Sequence, residues 1–169
     1  MAKRIKLGIS ACLLGEKVRY DGGHKWDWFL TSTFGKYMDY VPVCPESECG
    51  LGIPREPLRL IGDSSEPRIV TSHTKIDVTD RMLEWSQKRI STLRGDNLSG
   101  FVFKSKSPSC GLHGVKVYNE KGVYVEKGTG LFAKALIRDL PLLPVEDEER
   151  LHDPLLRDFF LELCLKNHG

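Results

Sequence analysis

Apolar residues fall along the chain in short blocks separated by turn-prone or polar stretches. Residues 5–11 (IKLGISA), 40–43 (YVPV) and 98–103 (LSGFVF) are compact apolar runs. Runs of that length, without alternation, predict strands covered on both faces. Residues 68–72 and 142–145 predict two further short strands. Residues 115–118 and 123–125, joined by Asn119-Glu120-Lys121-Gly122, predict a small hairpin. Elsewhere the apolar positions take helical spacing. Trp26, Phe29, Leu30 and Phe34 predict a helix over 24–37. A second is predicted to start at Thr79 or Asp80 as cap and to run to about Arg94. A third covers 130–139. The last starts at Asp153, with Pro154 in its first turn, and reaches Lys166. The segment 50–67, rich in Gly, Pro and Arg, reads as loop.

Strands alternating with helices predict an α/β fold: a single Rossmann-like domain with a mostly parallel, doubly wound sheet flanked by helices, a small β-hairpin and a C-terminal helix. The 169 residues show no internal repeat, low-complexity tract or domain-splitting linker. They suit one domain, with a core over about 5–145 and the last helix over about 150–167.

Composition adds limits. Apolar residues make 40% and charged residues 28%, an ordinary globular mixture. The net charge of +2, without a Lys/Arg block, neither demands nor excludes nucleic acid. The basic opening is followed by too short an apolar run for a signal peptide. No run reaches the roughly 18 apolar residues of a membrane span. A cytoplasmic protein without a membrane partner is expected.

The candidate chemistry lies in the cysteines at 12, 44, 49, 110 and 164. Their odd number and wide spacing argue against a secreted disulfide scaffold. Cys12, Cys44 and Cys110 each follow one of the three apolar strands, at intervals of 32 and 66 residues that leave room for crossover units. If those strands are parallel neighbours, the thiols share one sheet edge, where such sheets bind ligands. Without a CxxC pair they fit structural zinc poorly. They suit a [4Fe–4S] cluster with three thiolates and one open iron. Buried strand-end cysteines, or a redox or nucleophilic pair, are the competing readings. Cys49, five residues after Cys44, is a possible alternative ligand or a bystander. Cys164, on the apolar face of the last helix, reads as core.

The stretches ISACLLGEKVRYDGG (9–23), VCPESECGLGIPR (43–55) and KSKSPSCG (104–111) resemble the thiouracil desulfidase family. That family was long known as a bacterial domain of unknown function and is related to the first domain of a tRNA 4-thiouridine desulfidase. The resemblance spans about 5–145. The tail RLHDPLLRDFF (150–160) is similar to the junction of the two-domain members. The resemblance implies a [4Fe–4S] cluster on Cys12, Cys44 and Cys110 and removal of sulfur from a thiolated pyrimidine. In this chain Cys49 stands where many members carry a small residue.

The chemistry this implies is non-redox. An open iron polarises a thiocarbonyl, a general base activates water, and sulfur leaves as hydrosulfide. Glu46 is the candidate base. Ser107 and Ser109 are candidates for placing water, and Arg19 and Asp21 for holding the pyrimidine. The competing roles are an ion pair of Glu46 with Arg55 or Arg19, and turn chemistry around Pro108 for the serines. Lys104, Lys106 and Lys116 suggest either a solvated rim or tRNA contact. A small thiolated base such as 2-thiouracil is the expected substrate, with 4-thiouridine in tRNA or nucleosides as the alternative. A non-catalytic metal or iron–sulfur protein is the rival class. Oligomeric state is not legible. His24, His73, His113 and His152 lack ligand spacing and read as surface or structural.

Overall fold

The computed structural model describes residues 4–167. Its strands, in chain order, are β1 (Ile5–Ser10), β2 (Met38–Val43), β3 (Leu58–Ile61), β4 (Arg68–Thr71), β5 (Gly100–Phe103), β6 (Val115–Tyr118), β7 (Tyr124–Gly128) and β8 (Val145–Asp147). Its helices are α1 (Pro45–Glu48), α2 (Thr79–Gly95), α3 (Leu131–Asp139) and α4 (Pro154–Asn167). One sheet has the order β2-β1-β5-β8 and is parallel throughout. The other has the order β4-β3-β6-β7 and is mixed.

The parallel sheet is covered on both faces, which explains its unalternating apolar strands. On one face α2 and α3 pack Ile90, Leu93 and Leu136 against Phe101, Phe103 and Val43. On the other, Leu7, Ile9 and Val102 meet Leu30, Phe34 and, from α4, Phe160 and Cys164. Register is fixed from Ile5↔Met38 to Ser10↔Val43, with Ile9↔Val102 on the other side of β1. Gly8 makes this sheet possible at its centre, because a Cβ there would run into the Phe101 ring.

Several expectations need correction. The hairpin is not a separate appendage: β6 and β7 join β3 and β4 in the second sheet, over a core of Leu60, Ile69, Met82 and Val117. Strand β3 lies inside the stretch read as loop, because only LRLI interrupts its Gly/Pro background. No α-helix forms over 24–37. Trp26 and Trp28 are exposed, and a wide turn at Phe29–Thr33 runs into a 3-10 turn at Phe34–Tyr37. There the Thr31 and Ser32 hydroxyls donate back to the carbonyls of Asp27 and Trp28, which distorts a helix. The last strand is Val145–Asp147, shifted past Pro144, whose missing N–H cannot join a ladder. For α2, neither Thr79 nor Asp80 caps the helix. Asp77 Oδ1 accepts the Thr79 N–H at 2.9 Å, and Thr79 Oγ1 accepts the Ile69 N–H at 2.8 Å. Asp153 does act at the start of α4, accepting the Leu155 N–H at 2.9 Å.

Cys164 is fully buried, as its place on the apolar face of α4 predicts, and burial raises its thiol pKa to about 12. A thiol whose folded pKa lies above its unfolded value adds stability that is complete below about pH 9. That stability fades as pH rises toward 12, because the unfolded chain releases the proton first. Urea melts of wild type and Cys164→Ala should therefore converge between pH 9 and 11. The gap should close by up to about 1.4 kcal/mol per pH unit. A gap constant with pH would refute this.

Candidate functional site

Strands β2, β1 and β5 end on the same edge, and each leads into a segment carrying a cysteine. Cys12 sits in the 3-10 turn Ala11–Leu14 directly after β1. Cys44 follows β2 and opens α1. Cys110 lies in the long loop after β5. All three line one cleft of about 260 Å³. Each is a free thiol, Cys12 and Cys44 half-buried and Cys110 buried.

The segments that carry Cys44 and Cys110 are fixed by different devices. The Cys44 N–H donates to Glu48 Oε2 at 2.7 Å, and Glu48 is ion-paired at 3.2 Å with Arg89 of α2. In the Cys110 loop, Ser107 Oγ accepts the N–H groups of Ser109 and Cys110 at 3.2 and 3.1 Å. The loop then feeds the start of α3: the N–H groups of Leu131 and Phe132 donate to the carbonyls of Pro108 and Ser109. These carbonyls satisfy donors that a helix N-terminus leaves open. Gly130 permits the approach, since a Cβ there would lie 2.5 Å from the Ser109 carbonyl carbon and 2.7 Å from the Cys110 nitrogen. Lys106, in the same loop, adopts a left-handed φ of 62°, a conformation that gathers at functional sites.

Burial governs the thiols. It raises the Cys12 pKa to about 11, against the opposing pull of Lys104 and with a further push from Cys44. It pushes Cys110 up as well. A hydrogen bond with Ser10 opposes that shift, and Cys12 and Cys44 add to it. The three sulfurs thus sense one another, and burial favours the protonated form of Cys12 and Cys110. Soft metal binding displaces such protons.

Glu46 also lines the cleft. Arg55 Nε lies 3.1 Å from its Oε1, and the Ser109 hydroxyl donates to its Oε2 at 2.9 Å. Ser107 Oγ is 3.0 Å from Ser109 Oγ. With Ser109 donating to Glu46, the Ser107 hydroxyl is left to donate to Ser109. The ion pair with Arg55 and the candidate base are therefore one feature. The turn role of Ser107 likewise coexists with a place at the cleft.

Of the two residues expected to hold the pyrimidine, Arg19 lines the cleft, its guanidinium 5.3 Å over the Tyr20 ring. Asp21 does not line it: its carboxylate accepts the Gly23 N–H at 2.8 Å and shapes the turn. Cys49 also lies outside the cleft lining. Its thiol donates to the Glu46 carbonyl at 3.4 Å and packs with Leu60, Ile69 and Met82. The three lysines do not form one patch. Lys104 is half-buried in the cleft, Lys106 is exposed, and Lys116 caps the Tyr124 ring at 4.6 Å.

Sequence reasoning missed Ser10, Lys104 as a cleft residue, Ser105, Glu148 and Tyr20. Glu148 is buried and accepts the Ser105 N–H at 2.5 Å, 43 residues away. Only the pairing of β5 with β8 brings it there. The signal present in the sequence was the odd density of Lys and Ser before Cys110.

A family model for 2-thiouracil desulfurase matches residues 7–148, which include all three thiol segments. The chain belongs to this family. The chain is similar to a solved [4Fe-4S]-dependent thiouracil desulfidase, TudS, with a TM-score of 0.72 and 30% identity, over 95% of this chain and 99% of that one. It is also 34% identical over 112 residues to the uncharacterized protein YbbK of Bacillus subtilis (strain 168), covering 61% of this chain and 71% of that protein.

The donor set fits an iron–sulfur cluster. Three soft thiols surround the space. The surroundings suit an anionic occupant, with Arg19, Lys25, Arg55, Lys104 and Lys106 lining the cleft against the single carboxylate of Glu46.

Gly130→Ala should open the Cys110 loop, since the new methyl meets backbone rather than a movable side chain. The expected cost is about 1–3 kcal/mol. In the metal-free protein, Cys110 should alkylate faster while Cys164, far from the loop, keeps its rate. Peptide-resolved mass spectrometry reads both rates, and equal acceleration at both would point to global loosening instead.

Proposed function

We propose that the chain is an iron–sulfur-dependent desulfidase that replaces the thiocarbonyl sulfur of a small pyrimidine such as 2-thiouracil with oxygen from water, releasing hydrosulfide. One observation carries this reading: three thiols from three adjacent parallel strand ends open on one cleft lined by cations. Family membership and the likeness to a [4Fe-4S]-dependent thiouracil desulfidase support it. In the assignment proposed here, Cys12, Cys44 and Cys110 hold a [4Fe–4S] cluster and Cys49 does not. When bound, the cluster supplies an open iron, a soft Lewis acid suited to a thiocarbonyl sulfur.

The chain's own groups handle water and protons. Glu46 accepts a proton from the attacking water. Each of its oxygens already takes one hydrogen bond and keeps a further acceptor site for that water. Arg55 fixes the carboxylate plane. Ser109, backed by Ser107, holds Oε2 and sets the direction from which water is received. Arg19 and Tyr20 make a flat, polar-edged wall at the mouth, suited to a planar heterocycle. The cleft volume of about 260 Å³ lies at the small end for ligand sites and favours a free base. The exchange consumes one water and yields one hydrosulfide and one proton per carbonyl formed, with no change of oxidation state.

After anaerobic reconstitution, wild type should hold iron and acid-labile sulfide in equal amounts, and Cys49→Ala should match it. Cys12→Ala, Cys44→Ala and Cys110→Ala should each lose most of both. Retention in all three, or absence from wild type, would overturn the assignment.

Glu46→Gln should keep the cluster and lower the rate of thiouracil turnover about 10²–10⁴-fold. Unchanged turnover in a loaded Glu46→Gln protein would remove Glu46 from the chemistry.

A further inference from the structure

Lys104 lies at the end of β5 with its side chain folded into the cleft wall. Its Nζ is 2.9 Å from the Ser105 carbonyl oxygen, 3.1 Å from Ser105 Oγ and 3.3 Å from Glu148 Oε2. These three contacts use the three donors of an ammonium group, so the charge is held in one place. Glu148 is held equally firmly. It accepts the Ser105 N–H and, at 3.2 Å, the Ser105 hydroxyl. Its side chain is only 9% exposed and that of Lys104 only 21%. A half-buried lysine with no donor left over is not a substrate hook. Nor is it a surface charge, because its partner is buried as well.

Its position along the fold gives it a use. The Lys104 N–H donates at 2.9 Å to Ser10 Oγ, and Ser10 is the last residue of β1 before the Cys12 turn. Lys104 and Cys12 line the same cleft. Charge held at a mostly buried position is screened less than in open water, so one fixed ammonium acts on whatever sits among the thiols.

We propose that Lys104 and Glu148 form a charge-setting pair for the thiol site, with Lys104 supplying a fixed positive charge beside Cys12 and Glu148 holding it and moderating it. This rests on the cluster assignment above. Lys104 is a positioning residue in this scheme: it touches neither the pyrimidine nor the attacking water. A fixed positive charge makes addition of an electron to a nearby cluster easier, and a fixed negative charge makes it harder. The two members of the pair therefore act on the cluster's midpoint potential with opposite signs.

That opposition separates an electrostatic role from a merely structural one. Lys104→Met keeps the stem and removes the positive charge. Glu148→Gln keeps an acceptor oxygen for Lys104 and Ser105 and removes the negative charge. Midpoint potentials are read by anaerobic spectroelectrochemistry on the reconstituted proteins, with iron and sulfide determined on the same samples. Lys104→Met should lower the potential, Glu148→Gln should raise it, and Lys104→Arg should stay near wild type. Shifts of the same sign in the first two, or no shift in either, would overturn the proposal. If Lys104→Met does not load, Glu148→Gln and Lys104→Arg decide it: the first must rise and the second must hold. A wild type that carries no cluster would instead sink the functional reading on which the pair depends.

Discussion

The parallel alignment of β2, β1 and β5 is the constraint on which the site depends. Parallel neighbours are joined by long crossovers that leave the carboxyl end of one strand and return to the amino end of the next, so the carboxyl ends share one edge, where such sheets bind ligands. Here Ser10 stands opposite Val43, and Ile9 opposite Val102. With that register, the turn after β1, the start of α1 and the loop after β5 emerge side by side. A slip of one residue in any strand would turn its buried side chains to the opposite face. The large side chains that prevent this, Phe101 and Phe103 on one face and Leu7 and Ile9 on the other, are wholly buried. Core packing thus sets where the thiols emerge, although none of these side chains touches the cleft.

The cysteines serve a fold that must stand with or without a cluster. A neutral buried thiol behaves as a small apolar group, so a buried thiol such as that of Cys110 costs the metal-free protein little. Once deprotonated, three sulfurs at one cleft become a concentration of negative charge that burial would otherwise forbid. The cations around the cleft offset it. Arg55 and Lys104 are each committed to a carboxylate, Glu46 and Glu148, so the positive charges are fixed in place and partly balanced. A cleft lined with unpaired arginines would bind anions of any kind, and pairing narrows this to an occupant that reaches the sulfurs.

The elements around the site were legible in proportion to how much of their stabilisation is local. The three apolar runs before Cys12, Cys44 and Cys110 are buried on both faces, so their composition alone marks them. Helix α4 carries its own start in Asp153 and Pro154. The second sheet was not legible as a sheet, because β3 has four residues inside a Gly/Pro-rich stretch and its parallel partner β6 lies far along the chain. The irregular turns at 29–37 were read as helix from their apolar spacing, and hydroxyl back-bonding at Thr31 and Ser32 overrode it. At the site, placement after the three apolar strands pointed to Cys12, Cys44 and Cys110, and Glu46, Ser107 and Ser109, named as candidates through the family resemblance, line the same cleft. Glu148 was not, since it reaches Ser105 only through the pairing of β5 with β8. Asp21, two residues after Arg19, turns to the nearby backbone N–H of Gly23, a habit of short acidic side chains that spacing does not reveal.

The second sheet and α2 also explain why Cys49 sits so near a thiol cleft without lining it. Arg81 of α2 donates to the carbonyls of Cys49 and Gly50 at 2.9 and 3.1 Å. Arg89, two turns further on, reaches Glu48, which holds the Cys44 N–H. One helix therefore grips the 44–50 segment at both ends. Between those grips the short α1 rotates successive side chains to different sides: Glu46 toward the cleft and Arg55, Cys49 toward Met82 and Leu60. The thiol of Cys49 fills apolar space between α2 and the second sheet. To reach the cleft it would have to leave that core and give up its contact with the Glu46 carbonyl, which would disturb the backbone that presents Glu46. The same segment that supplies a thiol and a carboxylate to the cleft thus uses its second cysteine as the anchor that keeps both in place.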